Sequence, residues 1–353
     1  MFDNSTILVT GGTGSWGQEL VRQLLEKYNP KEIRVYSRNE NKQVLMQRQY
    51  QNNKVLKFII GDVRDKERLS SSLKGVDYVI HLAALKHVHI CEAQPIEAIR
   101  TNIIGTQNLI EASIQNNVKK VIGVSSDKAC EPYNLYGITK NCAEKLTIAA
   151  NSEHHITKFS YIRGGNVIGS SESVIPLFKR QILENNEITL TDERMTRFIF
   201  TLSDAVSLIF KALEKSFGGE LFVMKMPGMK ITDLIKAMIE ELGNNKTNIK
   251  TIGIRPGEKI DEVLLSKHER NNIIDDEHYF IVLPSVEVPG IKEHYKNHKK
   301  TSLPDAFSSV NTRQLNKEEI KILLRQGGWL DKPGTTQEDT VKHLGPQEFR
   351  QPI

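Results

Sequence analysis

Apolar residues follow two rhythms along the first half of the chain. Short runs at 6–10, 32–36, 56–60, 77–81, 121–124 and 157–162 are the length of strands and apolar enough to be buried. Between them, apolar positions return every three or four residues, as at Leu20, Leu24 and Leu25, and through 96–117, which reads as one long helix. Strand and helix alternating in this way predict an α/β fold, a doubly wound parallel Rossmann sheet with right-handed crossovers. Ligands of such sheets bind at the carboxyl ends of the strands. Beyond about residue 170 the rhythm becomes mixed. A helix opens at 174–178, amphipathic helices follow at 203–213 and 231–242, and Asn316 and Glu319 form a capping box ahead of a short helix at 320–324. Residues 286–315 look irregular, and 331–353 hold Pro and Gly with few apolar groups, the composition of an extended or disordered arm. The expected organisation is a dinucleotide-binding domain at 1–165, to which later segments return, and a smaller mixed α/β substrate domain at 166–285. A C-terminal extension at 286–353, helical at 316–326, completes it.

Composition narrows the function classes. Among 353 residues, 39% are apolar and 26% charged, as expected of a globular chain with ample core. The net charge of +5 comes from scattered basic residues, which suits anionic ligands and gives no nucleic-acid surface. No apolar run approaches the roughly 18 residues that a membrane helix needs. Residues 1–5 lack the basic start of a leader peptide, so a cytoplasmic enzyme is expected. Three cysteines, Cys91, Cys130 and Cys142, show no metal spacing and an odd count, so free thiols in a reducing compartment and no metal are expected. Cys130 and Cys142 read as packing residues.

The candidate chemistry clusters at the strand ends. After the first strand, Gly11, Gly12, Gly14 and Gly17 satisfy both G-x-x-G-x-x-G and G-x-G-x-x-G just before a helix, the spacing that brings backbone N–H groups to a pyrophosphate. Ser37 and Arg38 end the second strand where an NAD site usually carries a carboxylate. A hydroxyl and a guanidinium suit a 2′-phosphate and therefore NADP; the alternative is a solvated Arg38, with Glu40 doing part of the recognition. Asp62 either accepts from the adenine amino group or caps the next helix. Ala83 and Ala84 are small enough for a cofactor to lie close. Lys86 and His87 follow near the expected substrate, although His87 and His89 also fit surface histidines. Thr101 and Asn102 could face the cofactor edge. At the fifth strand end, Ser125 and Ser126 precede Asp127 and Lys128, and Tyr136 and Lys140 share one helix face. An ammonium beside a phenol lowers the phenol's pKa and makes it a base for a hydroxyl proton; alone, the pair is also what an ordinary helix face shows. Arginines at 191–198 and in the turn at 252–259 suit a diphosphate, or are solvated.

Together, Gly11-Gly-Thr-Gly-Ser-Trp-Gly17, Tyr36-Ser-Arg-Asn-Glu40, Gly61-Asp-Val-Arg-Asp65, Ala83-Ala-Leu-Lys-His-Val88, Ser126-Asp-Lys-Ala129, Tyr136-x-x-x-Lys140, Met195-Thr-Arg-Phe198 and Arg255-Pro-Gly-Glu-Lys259 resemble the extended short-chain dehydrogenase/reductases. More narrowly they resemble the soluble, C5-inverting UDP-N-acetylglucosamine 4,6-dehydratases, over about residues 1–285 and more loosely 300–330. The resemblance implies NADP, contacted by Gly11, Thr13, Gly14, Ser15, Trp16, Gly17, Ser37, Arg38, Asp62, Val63, Ala83, Ala84, Lys86, Thr101, Ser125, Tyr136 and Lys140. It implies a UDP-sugar held by Lys86, His87, Asn166, Ser173, Val174, Thr196, Arg197, Arg255 and Glu258. Tyr136, helped by Lys140, would take the 4-hydroxyl proton, Lys128 the C5 proton, and Asp127 would protonate the leaving 6-hydroxyl. Lys128 would have to be neutral to act. Relatives self-associate, so a dimer or hexamer is expected, serving surface glycan or flagellin sugar synthesis. The family reads Arg-Tyr-Gly-Asn-Val where this chain has Arg163-Gly-Gly-Asn-Val167, Ser-Arg-Gly-Ser-Val at 170–174, where Glu172 stands, and proline at His89. A retaining or 5,6-ene-forming dehydratase, an epimerase, and a non-catalytic UDP-sugar-binding paralogue are the alternatives.

Overall fold

The computed structural model describes residues 2–153, 156–168, 174–244 and 246–331. The chain divides into two compact units. One comprises Met1–Gly164, Ser203–Lys225 and Val263–Phe307; the other comprises Gly165–Leu202, Met226–Glu262 and the chain from Ser308 onward.

The first unit is built on a ten-stranded sheet. Its parallel part contains β1 (Thr6–Thr10), β2 (Glu32–Ser37), β3 (Leu56–Ile60), β4 (Tyr78–His81), β5 (Lys120–Val124) and β6 (Lys158–Arg163), in the order β3-β2-β1-β4-β5-β6. Leu221–Met224 extends it in parallel beyond β6, and Tyr279–Val282, Ile273–Asp275 and Lys300–Thr301 add an antiparallel edge. The central strands β1, β4 and β5 are mostly apolar and buried because both faces are covered. Ile7, Val9, Ile80 and Ile122 enter one core with Leu20, Val21 and Leu24 of the helix Ser15–Lys27. Leu8, Val79 and Val121, their alternating neighbours, enter another with Leu69, Leu109 and Ile110. This is the two-residue period of a strand.

One expectation needs correction. The long helix at 96–117 is broken into Pro95–Ile99, a π turn Arg100–Ile104 and Gly105–Gln115. The wider turn rotates Asn102 inward, where it is 1% exposed. Later segments return to the first unit, Ser203–Lys225 and Val263–Phe307. The helix Leu202–Lys215 buries Val206, Leu208 and Ile209 in the first unit's core, and the edge strands between 273 and 301 pair with its sheet.

The second unit has its own core around Ile188, Leu190, Ile199, Leu234, Ile235 and Met238, with Leu315, Ile320 and Leu324 from the C-terminal segment. It contains the antiparallel pair Thr196–Phe200 and Gly228–Lys230, with Asn166–Val167 parallel to the former, and the parallel pair Glu187–Leu190 and Asn248–Thr251. The capping box at Asn316 and Glu319 forms and starts the helix Lys317–Gln326. Residues 332–353, expected to be extended or disordered, lie outside the described residues. Among the described residues, no helix is long and apolar enough to cross a membrane.

Candidate active site

Each candidate in the first unit follows the carboxyl end of a parallel strand or lies on the helices beside them. Gly11 leaves β1 at φ +67°, and a β-carbon there would lie 2.9 Å from the nitrogen of Ala83, across the point where the strand order reverses. Thr13, Gly14, Ser15, Trp16 and Gly17 complete the turn and the first residues of the helix Ser15–Lys27. At the end of β2, Gln43 Nε2 donates to both the carbonyl and the hydroxyl oxygen of Ser37. Arg38 is largely exposed, 3.7 Å from Asp62. Asp62 is not a helix cap: Asp65 caps the helix Lys66–Ser72, and Asp62 accepts from the backbone and guanidinium of Arg64. Burial opposes its ionisation, yet Arg64 and then Arg38 hold its pKa below the usual value. Val63 is buried against Gly105, Lys86 is exposed, and the His87 ring lies 6.0 Å from that of His89.

The turn after β5 carries the densest chemistry. Ser125 N donates to Ile162 O, and Asp127 N to Gly164 O, so β6 fixes the turn's backbone. Ser126 Oγ donates to Asp127 Oδ1 at 2.9 Å, and Lys128 Nζ reaches the same oxygen at 3.1 Å. The next helix, Leu135–Ala149, is capped by Asn134 and brings Tyr136 and Lys140 alongside. It approaches closely because residue 137 is glycine: a β-carbon there would sit 2.1 Å from Lys128 O. Lys140 Nζ donates to Val124 O. Ser126, to which sequence reasoning assigned no role, lies beside the Tyr136 phenol and favours its ionisation. Asn102 is a second residue of this kind. Its side chain accepts from Leu85 N and donates to Leu85 O and Thr139 Oγ1, joining the segment before Lys86 to the Tyr136 helix.

The electrostatics differ from expectation at Tyr136. Burial pushes its pKa up to about 12, opposed by the Ser126 hydroxyl and the Lys128 charge. Lys140 was expected to lower it; instead Lys140 is itself pushed down to about 8 by burial, with Glu144 acting the other way. Its ammonium is directed at a carbonyl rather than held as a counter-charge on the phenol. Thr101 Oγ1, Ser125 Oγ and Asp127 Oδ2 are buried without hydrogen-bond partners among the described residues. Orphaned polar atoms beside a glycine cradle at strand ends fit a dinucleotide and a polar substrate.

The remaining candidates belong to the second unit. Asn166 Oδ1 is buried and unpartnered, and Val174 opens the helix Val174–Arg180. Thr196 Oγ1 bonds Asp261 and Ser309. Arg197 donates to the carbonyls of Thr196, Lys259 and Ile260, and so tethers the turn in which Glu258 accepts from Arg255 N. Ser173 lies outside the described residues.

A family model described as polysaccharide biosynthesis protein matches residues 7–284. UDP-N-acetylglucosamine 4,6-dehydratase (inverting) of Campylobacter jejuni is 47% identical over 290 residues, covering 81% of this chain and 85% of the relative. A UDP-glucose 4-epimerase of Rickettsia canadensis is 42% identical over 330 residues, covering 92% and 96%. Among solved structures, Pen from Bacillus thuringiensis aligns with a TM-score of 0.86 at 39% identity, covering 93% of this chain and 99% of that one. A dTDP-glucose 4,6-dehydratase from Streptomyces venezuelae with NAD and TYD bound aligns at 0.66 and 25% identity, covering 72% and 86%. The family match runs from β1 through Tyr279–Val282 and takes in the turn and helix that carry Asp127, Lys128 and Tyr136, so this chain belongs to the polysaccharide biosynthesis protein family.

Proposed function

We propose that the protein dehydrates UDP-N-acetylglucosamine to a UDP-4-keto-6-deoxy-N-acetylhexosamine with inversion at C5, using NADP. The observation that carries this reading is the Asp127–Lys128 contact of 3.1 Å beside Tyr136. Dehydration needs an acid for the 6-hydroxyl and a base for H5. A protonated Asp127 with a neutral Lys128 is a tautomer of their ion pair, one proton moved across that contact, so the pair can supply both without changing its proton count.

NADP, when bound, would supply the hydride chemistry that dehydration at C4 and C6 requires. Tyr136 takes the 4-hydroxyl proton, aided by Ser126 and Lys140; Lys128 takes the proton from C5, which the new ketone acidifies; Asp127 protonates the departing 6-hydroxyl, which leaves as water. A proton returned to C5 on the opposite face completes inversion. The dinucleotide rests on the turn Gly11–Gly17, on Asp62, Val63, Ala83, Ala84 and Lys86, and on Thr101 and Ser125. Ser37 and Arg38, with no carboxylate at the end of β2, favour NADP over NAD. Lys86, His87, Asn166, Val174, Thr196, Arg197, Arg255 and Glu258 are the residues assigned to the UDP-sugar. The enzyme acts in the cytoplasm as a homo-oligomer in surface glycan synthesis. Epimerisation at C4 is the second reading, favoured by the name of the Rickettsia relative.

Incubation with UDP-N-acetylglucosamine and NADP in heavy water, followed by NMR, tests this. A 6-deoxy product with one deuterium at C5 and inverted C5 couplings is expected. A C4 epimer that retains its 6-hydroxyl, or unchanged substrate, overturns dehydration.

A further inference from the structure

Arg163 ends β6 and is among the largest fully buried side chains, 1% exposed. Its guanidinium grips Glu144 with two hydrogen bonds, Nε to Oε1 at 3.1 Å and Nη2 to Oε2 at 2.6 Å. It also reaches Glu269 twice at 3.1 Å and the carbonyl of Leu264 at 2.7 Å. None of these groups has a part in the proposed reaction.

Their placement gives them one. Glu144 follows Lys140 by four residues on the same helix, a spacing at which lysine and glutamate ordinarily meet. Here both Glu144 oxygens are taken by Arg163, and Lys140 turns to Val124 O. The carbonyl of Gly164, one residue beyond Arg163, accepts from Asp127 N at 2.9 Å. Other groups surround Lys140. Tyr136 shares its helix. His81 comes from β4, neutral because burial drives its pKa to about 3. β6 contributes the Tyr161 ring, 5.9 Å from Nζ, and the turn after β5 the Asp127–Lys128 pair. Glu144 is the carboxylate whose release would change the charge beside Lys140.

We propose that Arg163 is a positioning residue for the active site: it holds Glu144 off Lys140, so that the Lys140 ammonium is met by a carbonyl dipole and not by a carboxylate, and its strand seats Asp127. Burial draws the Lys140 pKa down and Glu144 is the group that opposes this, so the distance at which Arg163 keeps Glu144 sets where Lys140 loses its proton. The inference deepens the function proposed above, because Lys140 assists Tyr136 there.

The test reads Lys140 directly, by a 13C NMR titration of the full-length, lysine-labelled protein with and without NADP, the Lys140 resonance being assigned by its loss in Lys140→Arg. Glu144→Gln leaves Arg163 paired with Glu269, and its Lys140 midpoint should fall by roughly half a pH unit or more. Arg163→Lys keeps a buried cation but cannot hold both Glu144 oxygens, and its midpoint should rise by about as much. Opposite shifts support the proposal. An unmoved midpoint in Arg163→Lys, shifts of the same sign, or a loss of stability without a shift at Lys140 overturns it. Should the midpoints diverge as expected while no UDP-sugar is turned over, the functional reading fails and this one stands.

Discussion

Ser125 and Ser126 are neighbours of the same type, and their roles are settled by backbone direction. Ser126 is extended, at φ −151° and ψ 156°, so successive side chains point opposite ways. Ser126 reaches the phenol and Asp127, while Ser125 Oγ is left buried and unpartnered. The sequence shows two candidate hydroxyls and nothing that ranks them. Removing the hydroxyl in Ser126→Ala takes a donor from the Asp127 carboxylate, worth about 1.5–3 kcal/mol for a charged acceptor, and a polar neighbour from the Tyr136 phenol. Turnover should therefore fall about 10- to 100-fold with dinucleotide affinity unchanged, checked by steady-state kinetics beside NADP titration. Equal losses in turnover and affinity would instead assign Ser126 to cofactor binding. The raised pKa of Tyr136 was equally hidden, because it follows from packing against Cys91, Ala98 and Leu85.

At the scale of elements, two devices lock the strand ends together. One is the π turn, where Asn102 holds both backbone groups of Leu85 and the Thr139 hydroxyl. A single wider turn barely disturbs a helical apolar rhythm, which is why 96–117 reads as unbroken. The other is His81. Thr106 Oγ1 donates to Asn102 O, so it accepts from His81 Nε2 at 3.2 Å; His81 Nδ1 then accepts from Thr10 Oγ1 at 2.8 Å. The neutral ring ties β1, β4 and the helix Gly105–Gln115. Its pKa is pushed from 6.5 to about 3 by burial and secondarily by Lys140. As pH falls below 6.5 the unfolded chain takes up the proton first, so this stability is complete above 6.5 and is lost between 6.5 and about 3. The loss is about 1.4 kcal/mol per pH unit. Urea unfolding at several pH values should show a shallower acid decline in His81→Asn than in the natural chain. Identical slopes would mean that His81 is not the group being titrated.

For the whole molecule, late segments complete early ones. The first unit reclaims the helix Leu202–Lys215 and four strands, while the second borrows Leu315, Ile320 and Leu324 from the C-terminal segment. All the residues assigned to the dinucleotide lie in the first unit. Ile320→Ala with Leu324→Ala should therefore lower an unfolding transition by about 2–5 kcal/mol per substitution and leave NADP affinity unchanged. Calorimetry beside fluorescence titration checks both; a matching loss of NADP binding would show that the two units do not behave independently.

What the chain determines by itself is local. Apolar runs mark the six strands, the glycine spacing after β1 marks the switch point of the sheet, and four-residue spacing sets Tyr136 and Lys140 on one helix face. Each signal acts over a few residues, through backbone sterics and helix period, and needs no partner. The remainder depends on atoms far apart in sequence. Arg163 meets Glu269, His81 meets Thr10, and the edge strands near residue 280 find the sheet only through folding. Burial, which moves Tyr136 up and Lys140 down, is a property of the assembled core, because desolvation depends on every neighbour at once.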